Sequence, residues 1–333
     1  MLDKLVSIIT PCYNGEAFIG RYLDSVLNQT YSNIELIIIN DGSTDKTAQI
    51  IESYRTKFEE KSISFLYLEQ ENAGQSAAIN KGLKLFQGEY LTWPDSDDIL
   101  HHDYIEKKVN YMETHKEIDL VISPVRLVSE DDLTKVIGIY KRKKPKSNQK
   151  DSLFLDLIDE KNVYFPPGGY MVRSATFIER VPTRHIYDKW AGQNYQLLLP
   201  IAYHGNCGYL DEILYDYVVR QDSHSKSAKS LVEIVENTHK HKLLLDAIIT
   251  GMGINEEVEL LKRIRTKYSR VRLKLAYQFR DKQVSNESCE ELKELGELMI
   301  RDRILAIRTK YRVFDLMYLC VWFVPKKVIS AVT

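Results

Sequence analysis

Apolar positions follow two rhythms over the first hundred residues. Continuous apolar runs at 5–10, 34–39 and 63–68 read as buried strands. Between the first two, apolar pairs recur at helical spacing: Phe18/Ile19, Tyr22/Leu23 and Val26/Leu27. Each strand runs into a short polar loop, at 11–15, 40–45 and 71–74. Asn14 is expected to cap the first helix. Asp45 is expected to cap the second, which reaches about Phe58, and residues 71–74 open a third that runs to about Phe86. Strand–helix alternation with short polar loops predicts βαβ units, hence an α/β fold: a mostly parallel sheet with helices on both faces. The loops after the strands then share one rim, which holds Tyr13, Asp41, Asn72 and the acids of residues 95–98.

Those acids follow a strand over 88–93. Tyr90, Leu91 and Trp93 suit its buried positions, and Pro94 ends the ladder because it has no N–H to donate. Asp95, Asp97 and Asp98 are then held just past the strand's C-terminal end, where ligand sites of open α/β sheets lie. Carboxylates this close repel unless something positive sits among them. A hard divalent cation, Mn2+ or Mg2+, would do so and would share its shell with phosphate oxygens. A turn followed by a helix N-cap also favours Asp, and this segment alone does not choose between the two.

Further along, residues 101–116 read as a helix and 119–123 as a strand. Residues 125–129 and 136–140 read as a hairpin around Glu130, Asp131 and Asp132. A basic loop follows at 141–146, solvated surface or a contact for an anionic acceptor or membrane. Pro166 and Pro167 precede Gly168 and Gly169, which let backbone approach a ligand closely. A strand at 213–219 leads into Arg220 and a polar stretch to Ser227. From about Ser230 the chain reads as helical. One stripe is Leu231, Ile234, Thr238, His241, Leu245 and Ile248. A second is Leu261, Ile264, Tyr268, Val271, Leu275 and Phe279, interleaved with Lys262, Arg263, Arg265, Lys267, Arg270, Arg272 and Lys274.

The loops resemble, in order and spacing, those of the family 2 glycosyltransferases of the GT-A fold. The segments concerned are 6–14 (Val-Ser-Ile-Ile-Thr-Pro-Cys-Tyr-Asn), 39–45 (Ile-Asn-Asp-Gly-Ser-Thr-Asp), 72–74 (Asn-Ala-Gly) and 95–98 (Asp-Ser-Asp-Asp). The resemblance covers roughly residues 4–225. It implies a GT-A catalytic domain over 1–228, with a nucleotide-binding half at about 1–100 and an acceptor half at about 101–228. Residues 229–333 would be a helical C-terminal extension.

By the same resemblance, Thr10, Pro11, Tyr13, Asp41, Asn72, Asp95 and Ser96 would bind the nucleotide, with Asp41 accepting from the base N–H. Asp97 and Asp95 would hold the metal, and Asp98 would assist. His224 would be a third ligand, in a loop where Arg220 or Lys226 offsets phosphate charge. Gly168 and Gly169 would face the acceptor. Bland alternatives stand beside these. Tyr13 also reads as loop packing in place of a base platform, Asp41 as a turn residue before Gly42, and Asn72 and Gly74 as simple helix-start architecture. Lys81 either reaches a phosphate or is solvated.

One departure matters. The family has a Glu-Asp pair whose carboxylate is the catalytic base, and here that slot holds Gln193 and Asn194. Amides do not titrate. Asp188, a turn upstream, is the expected base, or else the base is dispensable because the acceptor is already acidic or is activated otherwise; in either case Gln193 and Asn194 would orient acceptor or sugar hydroxyls. His204 is a further candidate, though on an apolar helix it reads better as a packed histidine. The rival expectation is a nucleotide-sugar-binding subunit without turnover. A sugar nucleotidyltransferase is disfavoured, because the first strand leads into Thr-Pro-Cys-Tyr-Asn rather than a Gly- and Arg/Lys-rich phosphate loop.

The resemblance implies metal-dependent, inverting transfer from a nucleotide-sugar, a UDP-sugar being the usual donor, to a glycan or lipid-linked glycan in surface-glycan assembly. Composition alters little. Lys+Arg 46 against Asp+Glu 47 leaves net charge uninformative, and no nucleic-acid motif accompanies the basic residues. The four cysteines form no CxxC pair, which fits a reducing compartment. No signal peptide is expected before the first strand. No window approaches the roughly 18 apolar residues of a membrane-spanning helix. The expected place is the cytoplasm, at the inner face of the membrane, with the basic helices and the apolar run 316–324 on an anionic bilayer. Packing of those helices on the catalytic domain or in a homo-oligomer is the alternative.

Overall fold

The computed structural model describes residues 4–143, 153–187, 192–220, 230–311 and 314. The chain forms two compact units, Met1–His224 and Ser225–Thr333.

The first unit is built on a seven-stranded sheet. Its strands are β1 (Val6–Cys12), β2 (Ile34–Asp41), β3 (Ser64–Gln70), β4 (Tyr90–Thr92), β6 (Leu120–Ile122), β9 (Tyr170–Arg173) and β10 (Cys207–Tyr209), in the order β10-β6-β9-β4-β1-β2-β3. β9 is antiparallel to both its neighbours, β4 and β6, and every other pairing is parallel. All residues of β1 and β2 are buried, as strands covered on both faces must be. The edge strand β3 is half open. β4 can lie against β1 because residue 88 is glycine: a Cβ there would come within 2.6 Å of the Ser7 N. The Glu35 carboxylate ties this junction, accepting from Ser7 Oγ and from the N–H groups of Gln87 and Gly88.

Helices α1 (Ile19–Leu27), α2 (Thr47–Ser53), α3 (Arg55–Glu60), α4 (Gln75–Leu83) and α5 (Tyr104–Thr114) follow the early strands. The second predicted helix is two, broken at Tyr54, whose hydroxyl donates to the Gly20 carbonyl at 3.1 Å. Asn14 does not cap α1, which starts at Ile19. It sits at φ 46°, and its Oδ1 accepts from the Thr44 N–H at 2.9 Å, tying the first loop to the second. Pro11 is not in a loop but within β1, opposite Ile39. β4 has already ended there, since it pairs only with Val6–Ile8, so the missing N–H faces no ladder.

A second, four-stranded sheet was not foreseen. It comprises β5 (Ile99–Leu100), β7 (Val125–Ser129), β8 (Val136–Tyr140) and β11 (Tyr215–Val219), in the order β5-β11-β7-β8. The predicted hairpin is its β7–β8 arm. β11 lies between β5 and β7, held at Asp216 by a bidentate pair with Arg126 at 2.7 Å and a 3.0 Å contact with His101. The remaining helices of this unit are α6 (Leu153–Asp159), α7 (Ser174–Arg180) and α8 (Gln193–Ala202).

The second unit contains α9 (Leu231–Met252), α10 (Glu257–Phe279), α11 (Lys282–Glu294) and α12 (Ile300–Lys310). Ser230 and Glu233 form a reciprocal capping box at its start. In α9 the predicted stripe holds at Leu245 and Ile248, and Leu244 and Ile249 are buried with them. In α10 it holds at Ile264 and Tyr268, but Leu260, Leu273 and Ala276 are buried where Leu261, Leu275 and Phe279 were expected. The basic residues of α10 are not a free cationic face. Lys262, Arg265, Arg270 and Arg272 pair with Glu297, Glu291, Asp302 and Glu287. That pairing offsets the charge of four of the basic residues that were expected to meet an anionic bilayer. No helix among the described residues is long and apolar enough to cross a membrane. The apolar run 316–324 and the basic residues 144–146 lie outside the described residues.

Candidate active site

β4, β1, β2 and β3 run parallel, so the loops after them lie at one edge of the sheet. Thr10 is buried within β1, its hydroxyl against that of Tyr22. Pro11 is buried beside it, while Tyr13 is 47% exposed at the rim. Asp41 ends β2. Its Oδ1 accepts from Gln70 Nε2 at 2.7 Å and from the Ala73 N–H at 2.9 Å, and its Oδ2 from the Gly74 N–H at 2.9 Å. The carboxylate therefore shapes the turn that holds Asn72 and starts α4, with Gly74 at φ 91° as the residue before that helix. Lys81 Nζ is spent on the Glu69 carbonyl, not held toward a phosphate.

Asp95, Asp97 and Asp98 bring one carboxylate oxygen each to within 4.8 Å of the others. They are not equivalent. Asp98 is wholly buried; its Oδ2 accepts from the Tyr215 hydroxyl at 2.6 Å and its Oδ1 from the Val218 N–H at 2.8 Å. These two bonds anchor β11 to the end of β4. Asp95 takes Gln75 Nε2 on Oδ1 at 2.7 Å, and its N–H donates to the Tyr215 hydroxyl oxygen at 3.3 Å. Asp97 Oδ2 pairs with Arg220 Nε at 3.1 Å, and Arg21 holds the Asp97 carbonyl at 2.6 Å. Ser96 is buried between them, hydrogen-bonded to Cys12, whose thiol burial pushes up to about 12.

The carboxyls shift together. Burial, then the Asp97 charge, pushes the Asp95 carboxyl up to about 8. Burial also raises Asp97, with Arg220 and Arg21 opposing, and raises Asp98 well above the usual range. An all-oxygen set with spare acceptor positions on two half-buried carboxylates suits Mg2+ or Mn2+. Asp95 and Asp97 are the residues that fit such an ion. Asp98 is committed to Tyr215 and Val218 with two of its about four lone-pair positions, and its remaining positions could only assist.

On the other side of the site, Gly168 and Gly169 are both buried, and what approaches them is the protein's own aromatic rings. A Cβ on Gly168 would lie 1.9 Å from the Tyr215 ring, and one on Gly169 would lie 2.8 Å from that of Tyr164. Their absent side chains make room for packing, which corrects the expectation that they face a ligand. Gln193 and Asn194 open α8 and are also buried. Asn194 Oδ1 accepts from Trp93 Nε1 at 2.7 Å, and its Nδ2 donates to the Phe165 carbonyl at 2.7 Å. With both ends engaged, Asn194 is not held toward a substrate hydroxyl. His204 follows the end of α8, exposed at φ 65° and against the Tyr203 ring, so it is not the packed helical histidine expected. Asp188, His224 and Lys226 lie outside the described residues.

Tyr215, Gln75 and Arg21 were missed in the sequence. Gln75 follows directly on the 72–74 motif, and Arg21 lies on α1 just after the first loop, so proximity to the rim was the available signal for both. Tyr215 had none: it is one aromatic in an ordinary strand, 117 residues from the Asp98 it contacts.

Comparison with known proteins bears on the family and the fold. The model of "Glycosyl transferase family 2" matches residues 7–180. The glycosyltransferase GlyA of Streptococcus pneumoniae is 45% identical over 106 residues, which is 32% of this chain and 15% of that protein. The minor teichoic acid biosynthesis protein GgaB of Bacillus subtilis is 37% identical over 122 residues, 36% of this chain and 13% of that protein. The chain thus spans a small part of the length of these relatives. Among solved structures, S. aureus TarS 1-349 in complex with UDP-GlcNAc superposes with a TM-score of 0.58 at 19% identity, covering 94% of this chain and 91% of that one. The likeness shows the fold, a mostly parallel α/β sheet followed by a helical region. The matched model takes in β1 to β4, the acids at 95–98 and the β9 strand beside them, and the chain belongs to glycosyl transferase family 2.

Proposed function

We propose that the protein transfers a sugar from a UDP-sugar to a hydroxyl of a glycan or lipid-linked glycan in surface-glycan assembly, with inversion at the anomeric carbon. The observation that carries this reading is the pair Asp95 and Asp97, half-buried carboxylates at the sheet edge beside the Tyr13 and Asp41 loops. Relatives support the substrate class: TarS was solved with UDP-GlcNAc and with UDP, and GgaB is named for teichoic acid biosynthesis. A mannosyltransferase of similar fold from Pyrobaculum calidifontis was solved with GDP-Man and Mn2+ (TM-score 0.50), which supports the metal.

In this reading the base lies against Tyr13. Asp41 has three internal donors, and a carboxylate has about four lone-pair positions, so one position remains for the base N–H. Mn2+ or Mg2+ at Asp95 and Asp97 would neutralise charge on the departing nucleoside diphosphate. Arg220 would leave Asp97 for the phosphates, keeping one positive charge on each. Asp188 would take the acceptor proton as the hydroxyl oxygen attacks the anomeric carbon from the face opposite the diphosphate. His224 would add a ligand from the loop after Arg220. Cytoplasmic placement at the inner membrane face goes with a lipid-linked acceptor, and α10 gives it no support.

A second reading, a binding subunit that holds nucleotide-sugar without turnover, is favoured by the burial of Gln193 and Asn194 in the slot for the base. One assay separates the two. A panel of nucleotide-sugars is offered with Mn2+ or Mg2+ and then with chelator, and nucleoside diphosphate release is followed for wild type, Asp97→Ala and Asp188→Asn. Metal-dependent release from one donor, lost in Asp97→Ala, is expected. Donor binding with no release, lipid-linked acceptor present, would move the conclusion to the subunit. Full rate in Asp188→Asn would remove Asp188 as the base.

A further inference from the structure

We propose that Asn194 is a positioning residue, a strut that fixes the Trp93–Asp95 segment to the loop beginning at Phe165. The acceptor's proton is therefore not taken at this slot. The inference rests on the donor-site reading above.

The chemistry of the two partners dictates the side chain between them. Trp93 is 1% exposed, and its indole N–H can only donate. The Phe165 carbonyl can only accept. A side chain joining them must accept at one end and donate at the other, both at 2.7 Å here. An amide does this. A carboxylate would satisfy Trp93 but would set a second acceptor against the Phe165 oxygen. The partners thus fix which amide atom is oxygen and which is nitrogen, with no freedom to flip.

The strut also closes a ring of contacts around Asp95. From Asn194, one path runs through Trp93 and Pro94 to Asp95, whose N–H meets the Tyr215 hydroxyl oxygen. The other runs through Phe165 to Gly168, which packs directly beneath the Tyr215 ring and whose carbonyl takes Lys108 Nζ at 3.0 Å. The Phe165 ring packs on Tyr195, the residue after the strut, with centroids 4.4 Å apart. Both paths meet at Tyr215, so a change at Asn194 reaches Asp95 from two sides. In this chain the amide at 194 sets where the metal-binding carboxylate stands.

The test uses the full chain and three variants, Asn194→Asp, Asn194→Leu and Trp93→Phe, with the Trp93→Phe/Asn194→Leu double variant. UDP affinity in the presence of Mn2+ is read by calorimetry, and donor turnover is followed from pH 5 to 9. Loss of the link is expected to weaken UDP binding about tenfold in both Asn194 variants. The double variant should fall within about twofold of Asn194→Leu, because both changes break one connection. Asn194→Asp should gain no turnover at any pH. Unchanged UDP affinity in Asn194→Leu would overturn the strut. So would faster turnover in Asn194→Asp with a new rising limb in its pH profile, since the slot would then face the acceptor. Should Asn194→Leu not fold, Trp93→Phe removes the N–H donor together with one ring of the indole and leaves Asn194 in place: about fivefold weaker binding is expected, and unchanged binding would overturn the proposal. Failure of the wild type to bind any nucleotide would instead overturn the donor-site reading, before any variant is made.

Discussion

Arg220 Nε lies 3.1 Å from Asp97 Oδ2, and its guanidinium sits 4.7 Å from the centroid of the Phe18 ring. A protein cation thus occupies the side of the acid cluster where the proposed metal would bind. Removing it leaves Asp97 less neutralised and frees its oxygen. Arg220→Ala should bind Mn2+ without nucleotide roughly fivefold more tightly, from loss of about 1 kcal/mol of competing charge. The same variant should bind UDP–Mn2+ more weakly. Calorimetry of both titrations checks this, and an unchanged Mn2+ affinity would show that the pair does not compete with the ion.

Asp97 and Asp98 are neighbours in sequence, yet their substitutions should separate cleanly. Asp97→Ala should abolish metal-dependent turnover while leaving the melting temperature within about a degree, because the partly exposed ion pair it loses is offset by relief of repulsion from Asp95 and Asp98. Asp98→Ala strands the buried Tyr215 hydroxyl and Val218 N–H and should cost about 2–4 kcal/mol. Thermal melts beside turnover assays decide it. Equal melting temperatures in the two variants would contradict the anchoring role of Asp98.

Gly168→Ala puts a methyl 1.9 Å from a fully buried ring, so Tyr215 or the loop must move. Overpacking of this kind costs about 1–3 kcal/mol, or roughly 2–10 °C in a unit of this size. Because Tyr215 also carries Asp98 and the Asp95 N–H, Mn2+ affinity should fall with stability. A normal melt with normal Mn2+ binding would count against that coupling.

Acid sensitivity should centre on Asp216. Burial works to raise its carboxyl, but hydrogen bonds from His101 and Arg126 outweigh this and hold it below the usual carboxylate range. A group depressed in the folded state adds stability above its unfolded pKa, about 3.9 for Asp. That contribution is lost as pH falls below this value through the folded one. Denaturant melts from pH 7 down to 3 should show wild type losing stability over that window. Asp216→Asn should start about 2 kcal/mol lower at pH 7 and fall less steeply. Parallel slopes would show that the acid dependence lies elsewhere.

Much of the sheet was legible because its causes are local. Apolar runs ending in polar loops define β1 to β3, and Pro94 marks the end of β4 on chemistry alone. The acids at 95–98 were legible for the same reason. What was not legible depends on distant partners. Asp98 looked like its neighbours until Tyr215 and Val218 were found on it. Gly168 was rightly singled out, but the ring above it comes from residue 215. Asn14 has the residue type of a cap, and its side chain goes to another loop instead. The basic run of α10 looked like a surface for lipid because the carboxylates that answer it, Glu287, Glu291, Glu297 and Asp302, lie on or beside later helices.

The match to the family model ends at residue 180, while the two groups that hold Asp98 come at 215 and 218. A fragment cut at that boundary would keep every rim loop and all three acids. It would nonetheless enclose a carboxylate with no donor, and it would lose β10 and β11 from the edges of β6 and β7. The unit that folds around the acids is therefore longer than the matched stretch. If the first 180 residues were joined to a foreign continuation, the acids would work only where the newcomer supplied its own hydroxyl and N–H at the same depth.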